Sequence, residues 1–419
     1  MRTPGKELIR LNLADPRLRG DHHLLFSELR DRGPLIPARL SLIGRVWLVT
    51  RHAGVNACLR DAERFVRDPR NAGRKQDVRL QLIMPRMFDR LSKNMLGADG
   101  DAHRRLRMLV DKAFSRQNIQ HLESEIERIS RQLLEQLPVD ENGVVDLVEH
   151  FCQPLPLIVI CQLLGLPDSD RPRFMKWFEG FSSASNLWAV FRLVPNLRRT
   201  MRYLEHQFRE VRRSSRPGLI HDLVEAEMEG DRLSHEELLS MAMLLLLAGH
   251  ETTVHLISTS VLTLFQLPDV RQRLVQDPQL LESCVDEMLR YNSPVQFTKP
   301  RFAAVDCEFY GQTLKRGDSL VPLLASANGD PEVFEAADQF RIDRHPNRHL
   351  AFGAGPHVCL GLKLARAETM IALRTLLHRY PDLGPGFDLA HPHWSRRGGM
   401  RALKSMPVRP GGGGCGGGG

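Results

Sequence analysis

One segment of about 33 residues, between Ser234 and Pro268, sets the scale of anything this chain can fold into. Ser234 and Glu237 have the spacing of a capping box, which marks the start of a helix. No Gly-Pro pair interrupts the segment before Pro268. At 1.5 Å per residue, a helix of this length spans roughly 50 Å, enough to cross a whole domain.

The remaining pattern is mainly α with a small β part. Apolar residues from Ile119 to Leu137 recur at intervals of three and four, and 362–380 also predicts a helix, ended by Pro381. Short runs between about 296 and 325, separated by glycines, predict a small sheet. Since no linker divides the body, we expect one domain over 1–410. A flexible Gly-rich tail over 411–419 carries Cys415.

Composition narrows the partners and the compartment. Lysine and arginine number 58 against 50 acidic residues, which favours an acidic partner. Only 6% of residues are aromatic and no zinc-finger or RNP-type signature occurs, so an acidic protein is favoured over nucleic acid. The seven cysteines are odd in number and lack CxxC spacing, which indicates reduced thiols. No apolar leader or membrane anchor is visible, so we expect a cytoplasmic protein.

The segment Phe352-Gly-Ala-Gly-Pro-His-Val-Cys-Leu-Gly361 carries the most specific chemical signal. Its glycines allow the backbone to approach a flat cofactor closely. Cys359 precedes a helix that begins near Leu362, and backbone N–H donors at a helix N-terminus favour a thiolate. A lone cysteine would more often be a buried structural residue, but this one stands inside a glycine-rich loop.

A second signal is Ala248-Gly-His-Glu-Thr-Thr253, in the middle of the long helix. Gly249 weakens a helix interior by about 1 kcal/mol relative to alanine, so its presence there invites a reason. Glu251 and Thr252 could relay protons if the helix opens locally. A zinc hydrolase is a weaker alternative: His250 and His255 are five apart, about 140° around the helix, and could not easily share a metal.

These segments closely resemble the cytochrome P-450 superfamily, soluble bacterial type, whose haem loop reads F-G-x-G-x-H-x-C-x-G and whose long helix carries A-G-x-[DE]-T. The resemblance makes Cys359 the axial iron ligand and assigns oxygen activation to Thr252 and proton delivery to Glu251. It groups Glu287, Arg290 and Arg344 in a buried structural network. It gives a cofactor-binding set of His103, Arg107, Ala248, Arg301, Gly353, His357, Cys359 and Gly361, of which His103, Arg107, Arg301 and His357 face the haem carboxylates. Leu244 and Val295 are candidate substrate contacts.

The resemblance also implies the fold and the reaction. It predicts a triangular domain with haem b between the long helix and the cysteine loop. The enzyme would be a monomeric monooxygenase of secondary metabolism that inserts one atom of O₂ into a polyketide, terpenoid or lipid-like molecule. NAD(P)H would supply electrons through a reductase and a ferredoxin or flavodoxin. A peroxide-driven haem enzyme and a non-catalytic haem sensor are the alternatives. In the family the region over 67–100 helps to cover the substrate.

Overall fold

The computed structural model describes residues 8–12, 15–41, 43–74, 93–178, 187–214, 216–228 and 233–411. Two sequence-based expectations lie wholly or partly outside these ranges. They are the Gly-rich tail, of which only Gly411 is described, and the 75–92 part of the stretch expected to cover the substrate.

Helices dominate the described chain. In order they are α1 (His22–Asp31), α2 (His52–Arg60), α3 (Gly100–Asp111), α4 (Arg116–Glu135), α5 (Pro154–Leu164), α6 (Arg171–Phe178), α7 (Leu187–Ser214), α8 (Leu219–Met228), α9 (His235–Gln266), α10 (Pro268–Gln276), α11 (Leu281–Asn292), α12 (Leu324–Asn328) and α13 (Leu362–Arg379). The predicted helices over 119–137 and 362–380 are therefore confirmed within three residues at their ends.

The long helix α9 is the centre of the molecule. The Ser234 hydroxyl and the Glu237 carboxylate form the capping box that the sequence predicts. Helices α5, α11 and α13 pack around α9, which leaves most of its residues buried. By length and composition α9 could cross a membrane, but 67% of its most apolar window is buried inside the protein. It is therefore a core helix.

The strands form a larger β part than the sequence indicates. They are β1 (Ile9–Leu11), β2 (Leu35–Leu40), β3 (Gly44–Val49), β4 (Phe65–Val66), β5 (Val145–Asp146), β6 (Arg301–Ala303), β7 (Cys307–Phe309), β8 (Gln312–Leu314), β9 (Ser319–Pro322), β10 (Gly384–Pro385) and β11 (Pro407–Arg409). The main sheet has the order β1-β2-β3-β9-β6-β4. Strands β6 and β9 from the predicted region thus pair with N-terminal strands that the sequence analysis did not identify.

Candidate active site

The loop from Phe352 to Gly361 is fixed by its own backbone. The Cys359 amide donates a hydrogen bond to the Phe352 carbonyl over 2.9 Å, and Gly353 has φ +71°, a left-handed conformation. Gly355 also has a positive φ, +70°, and a Cβ there would lie 2.8 Å from the Cα of Arg60 at the end of α2. The loop therefore needs glycine both for its backbone conformation and for its contact with α2.

The Cys359 side chain opens on a cavity at the N-terminus of α13. The Gly361 N–H and the Arg107 charge both lower the pKa of this thiol. Burial acts in the opposite direction and is the larger effect, so the pKa lies above its ordinary value. The backbone donor therefore favours the thiolate, as expected from the sequence, but burial outweighs it.

The cavity has a volume of about 400 Å³ and is mostly apolar. It lies between α9 and the cysteine loop. Ten of the residues singled out from the sequence line it, namely His103, Arg107, Leu244, Ala248, Thr252, Val295, Gly353, His357, Cys359 and Gly361. Sequence reasoning missed several other lining residues, including Met95, Leu96, Leu245, Phe297, Thr298 and Leu324. These belong to segments without a motif, so no sequence signal marks them.

Thr252 and Gly249 lie where α9 passes the cavity. The Thr252 hydroxyl donates to the Ala248 carbonyl over 3.0 Å, and α9 continues without a break through this turn. The local opening on which the sequence argument depended is therefore not present. A Cβ at position 249 would lie 3.0 Å from Cδ1 of Ile160 on α5, so the glycine also allows close helix packing.

Glu251 does not line the cavity. Its carboxylate forms an ion pair with Arg397 and lies 3.7 Å from Nε2 of His255, which is itself buried. Burial raises the pKa of Glu251, but His255 and Arg397 outweigh it, so the pKa is lowered overall. The predicted acid and alcohol therefore face different partners, because adjacent residues point about 100° apart on a helix.

The zinc-hydrolase alternative finds no support in this arrangement. Nε2 of His250 lies 3.1 Å from the Gln153 carbonyl, while His255 faces Glu251. Within the described ranges, the one group of side chains with metal-ligand spacing is His221, Asp222 and Glu225, on α8.

Two histidines and an arginine form one polar end of the cavity. The rings of His103 and His357 lie 4.2 Å apart. Burial and neighbouring arginines lower the pKa of His357 to about 2, so its ring is neutral. Arg107 donates to the Val358 carbonyl over 2.6 Å and to Asp111 over 3.2 Å, so its guanidinium is already partly engaged.

Three further cations lie at this end, of which the sequence analysis identified only Arg301. Arg301 is 1% exposed and lies outside the cavity lining, although its Nε has no hydrogen-bond partner. Arg67 and Lys299 do line the cavity. Nothing in the motifs points to these two, because each stands alone in its segment.

The three residues expected to form a structural network are in contact. Arg290 donates from Nε and Nη2 to the two Glu287 oxygens, each over 2.7 Å. Nε of Arg344 lies 3.1 Å from both oxygens. The Glu287 and Arg290 side chains are completely buried. The network joins α11 to the segment that precedes the cysteine loop.

Comparison with known proteins gives a consistent result. The sequence profile described as cytochrome P450 matches residues 75–381. The polyketide biosynthesis cytochrome P450 PksS of Bacillus subtilis (strain 168) is 37% identical over 395 residues, 92% of this chain and 96% of the relative. A myxobacterial cytochrome P450, CYP267B1, solved with myristic acid, superposes with a TM-score of 0.86 at 35% identity, covering 94% of this chain and 98% of that one. The tirandamycin C-bound monooxygenase TamI gives a TM-score of 0.87 at 33% identity, covering 96% and 99%.

Proposed function

This chain belongs to the cytochrome P450 family and is an oxidoreductase, and on that premise we propose that it inserts one atom of dioxygen into an apolar small molecule. The observation that carries the proposal is the placement of the Cys359 sulfur and the Thr252 hydroxyl on one largely apolar cavity. A thiolate ligand and a hydroxyl donor in such a site are suited to cleavage of the O–O bond.

The residues around the cavity fit the haem that the family uses. Cys359 offers a soft thiolate ligand for iron. The buried Nε atoms of Arg67 and Arg301 have no hydrogen-bond partner, and unpartnered buried donors are costly unless a ligand supplies an acceptor. His103 and His357 can donate hydrogen bonds to the haem carboxylates, which would also accept from these two arginines. When bound here, haem supplies the reduction of dioxygen, in which one atom enters the substrate and the other leaves as water.

The protein's own groups define how such a site works. Cys359 would hold the haem iron, and its sulfur would bind as a thiolate, so binding would release the thiol proton. Thr252 presents a hydroxyl to the cavity from α9. Glu251 lies behind it and holds its negative charge against Arg397. Leu244, Ala248 and Val295 provide apolar surface that excludes water from the reacting carbon.

We propose a polyketide or lipid-like substrate. The relatives include one named for polyketide biosynthesis, one solved with myristic acid and one solved with tirandamycin C. The apolar lining favours a substrate of this class over a sugar or a nucleotide. A terpenoid is also apolar, so the lining formed by the described residues does not distinguish it from this class.

Members of this family receive electrons from a redox partner, and we propose an acidic ferredoxin or flavodoxin supplied by an NAD(P)H-dependent reductase. The basic composition favours an acidic partner, and basic residues such as Arg104, Lys112, Lys363 and Arg366 could dock it. Of these, Arg104 pairs with Asp101 and Arg366 with Asp286. These local pairs reduce the positive field, so charge steering would rest more on Lys112 and Lys363. We also propose a monomer in the cytoplasm.

A peroxide-driven enzyme would need no electron donor, and a sensor would form no product when electrons are supplied. Thr252 lines the cavity, which favours dioxygen chemistry over both alternatives. Turnover assays with the donor alone and with peroxide alone separate the three functions.

The decisive experiment is the absorption spectrum of the dithionite-reduced protein with carbon monoxide. A strongly red-shifted Soret band is expected, and Cys359→Ala should abolish it. The matched control is Cys307→Ala, because Cys307 lies in β7 and does not line the cavity. A thiolate-type band that persists in Cys359→Ala would contradict the ligand assignment, and a wild-type protein that binds no haem would contradict the function.

A further inference from the structure

Strand pairing brings Arg67 next to Arg301. Val66 of β4 pairs with Phe302 of β6 in an antiparallel ladder. Continuing this register by one residue sets Arg67 opposite Arg301, on the same face of the sheet. Lys299 precedes Arg301 by two residues, and Nη1 of Arg67 donates to the Lys299 carbonyl over 2.9 Å. Three cations therefore lie side by side where like charges repel.

The surrounding protein satisfies the polar groups of Arg67 and Lys299 only in part. Nε of Arg67 is buried without a hydrogen-bond partner. The Lys299 ammonium has no ion pair or hydrogen bond within the part of the chain that the structure describes. Both residues line the cavity, and among the described residues no aspartate or glutamate lines it with them.

The acids in the neighbourhood are engaged elsewhere. The Asp99 carboxylate accepts hydrogen bonds from the backbone amides of Arg67 and Asp68 and from the Asn71 side chain. Asp111 pairs with Arg107. Neither acid forms an ion pair with the Arg67 guanidinium or with Lys299 in the described chain. Within the described residues, the charges of these two cavity-lining side chains are therefore not neutralised by an ion pair with a protein acid.

We infer that Arg67 and Lys299 form a carboxylate-binding site at the polar end of the cavity, in addition to the four residues that the haem-loop resemblance assigns there. A guanidinium can bind a carboxylate through two parallel hydrogen bonds, and an ammonium adds a compact charge. The inference rests on the proposed function because it places the carboxylate in the haem and substrate cavity.

The electrostatics of the two side chains agree with this assignment. Burial, and to a lesser extent the charge of Arg301, lower the pKa of Arg67 to about 10. Burial also lowers the pKa of Lys299, and the charge of Arg67 acts in the same direction. A bound carboxylate relieves both effects, since it replaces lost water and offsets the mutual repulsion of the cations.

The carboxylate can come from two sources of the same chemistry, a haem propionate or the acid group of a substrate. The two sources predict different measurements. If the site holds a haem propionate, substitution of Arg67 and Lys299 weakens haem retention and shifts the haem midpoint potential whatever substrate is present. If the site holds a substrate acid, the same substitutions remove a preference for acids over esters and leave haem retention unchanged.

The experiment uses Arg67→Gln, Lys299→Gln and the double variant of the haem-loaded enzyme. Arg74→Gln is the matched control, because Arg74 is a nearby arginine that donates to the Ser319 hydroxyl and does not line the cavity. Arg67→Lys tests rescue by a retained charge. We measure the rate of haem transfer to apomyoglobin, the midpoint potential, and the Kd ratio of tetradecanoic acid to its methyl ester from the spin-state shift.

Loss of one charge-assisted hydrogen bond should change the relevant rate or Kd on the order of tenfold or more. Faster haem transfer together with a shifted midpoint potential identifies a haem propionate. A Kd ratio of acid to ester that rises toward one identifies a substrate acid. If all three measurements in the double variant match those of Arg74→Gln, the inference is overturned. A wild-type protein that shows no thiolate-type carbon monoxide spectrum contradicts the proposed function instead, so the two failures are distinct.

Discussion

Replacing Glu287 by glutamine tests whether the buried network stabilises the fold to the extent that its geometry implies. The carboxylate accepts two hydrogen bonds of 2.7 Å from Arg290 and contacts Arg344 at 3.1 Å, with Glu287 and Arg290 at 0% exposure. Glutamine keeps the shape, but it removes the charge and turns an N–H₂ group toward guanidinium donors. Leaving buried arginines uncompensated costs about 3 to 5 kcal/mol, a large share of a typical stability of roughly 5 to 15 kcal/mol.

Urea unfolding of the haem-loaded enzyme, followed by circular dichroism, measures this loss. The matched control is Glu282→Gln on the same helix, α11. Glu282 is 70% exposed and pairs with Arg366 at 3.1 Å, so its loss should cost less than about 1 kcal/mol. If Glu287→Gln costs no more than Glu282→Gln, then the buried pair contributes nothing beyond a surface ion pair, and the argument from burial is refuted.

Three further predictions follow from single positions. Gly355→Ala should lower both Tm and haem content, since position 355 has φ +70° and an added Cβ would lie 2.8 Å from Cα of Arg60. The control is Gly311→Ala, because Gly311 has a similar φ of +68° but open space around it. This control should show only the backbone cost of about 1 to 2 kcal/mol. Burial lowers the pKa of His23 from 6.5 to about 3. As the pH falls from 6.5 to 3, this histidine is protonated in the unfolded chain but not in the folded protein. The free energy of unfolding should therefore decrease by up to about 1.4 kcal/mol per pH unit in that range. His23→Gln should flatten this decline in urea midpoints, and an unchanged slope would contradict it. Thr252→Ala should divert electrons to hydrogen peroxide while Thr252→Ser should not, and unchanged peroxide yield per NAD(P)H would count against a role for the hydroxyl.

Much of the helical frame could be predicted because its signals are local. The capping pair Ser234 and Glu237 identifies the start of α9, and Pro381 follows the end of α13. The N-terminal strands were missed for the opposite reason. Strand β3 pairs with β9, and Trp47 lies beside Leu320 although they are far apart in the sequence. Such pairing depends on the whole fold and leaves little trace in either segment.

The same contrast holds within the site. Cys359, Gly353 and Gly361 stand in one continuous loop, so their letters and spacing identify them together. Arg67 and Lys299 come from different segments and meet only because β4 pairs with β6. A solitary cation in a sequence is most often solvated, and only its position in the cavity gives it a chemical role.

Glu251 shows where a motif stops carrying information. The sequence places the acid beside the alcohol, and helix geometry then turns them about 100° apart, so that only one of them can face the cavity directly. Thr252 takes that position, while Arg397, from a segment near the end of the described chain, holds the Glu251 carboxylate away. A proton that passes between the two must therefore be carried by a group or water outside the motif, or the ion pair with Arg397 must open first. Any such proton path would therefore depend either on that additional group or on Arg397, which lies 146 positions later in the chain, since 397 − 251 = 146.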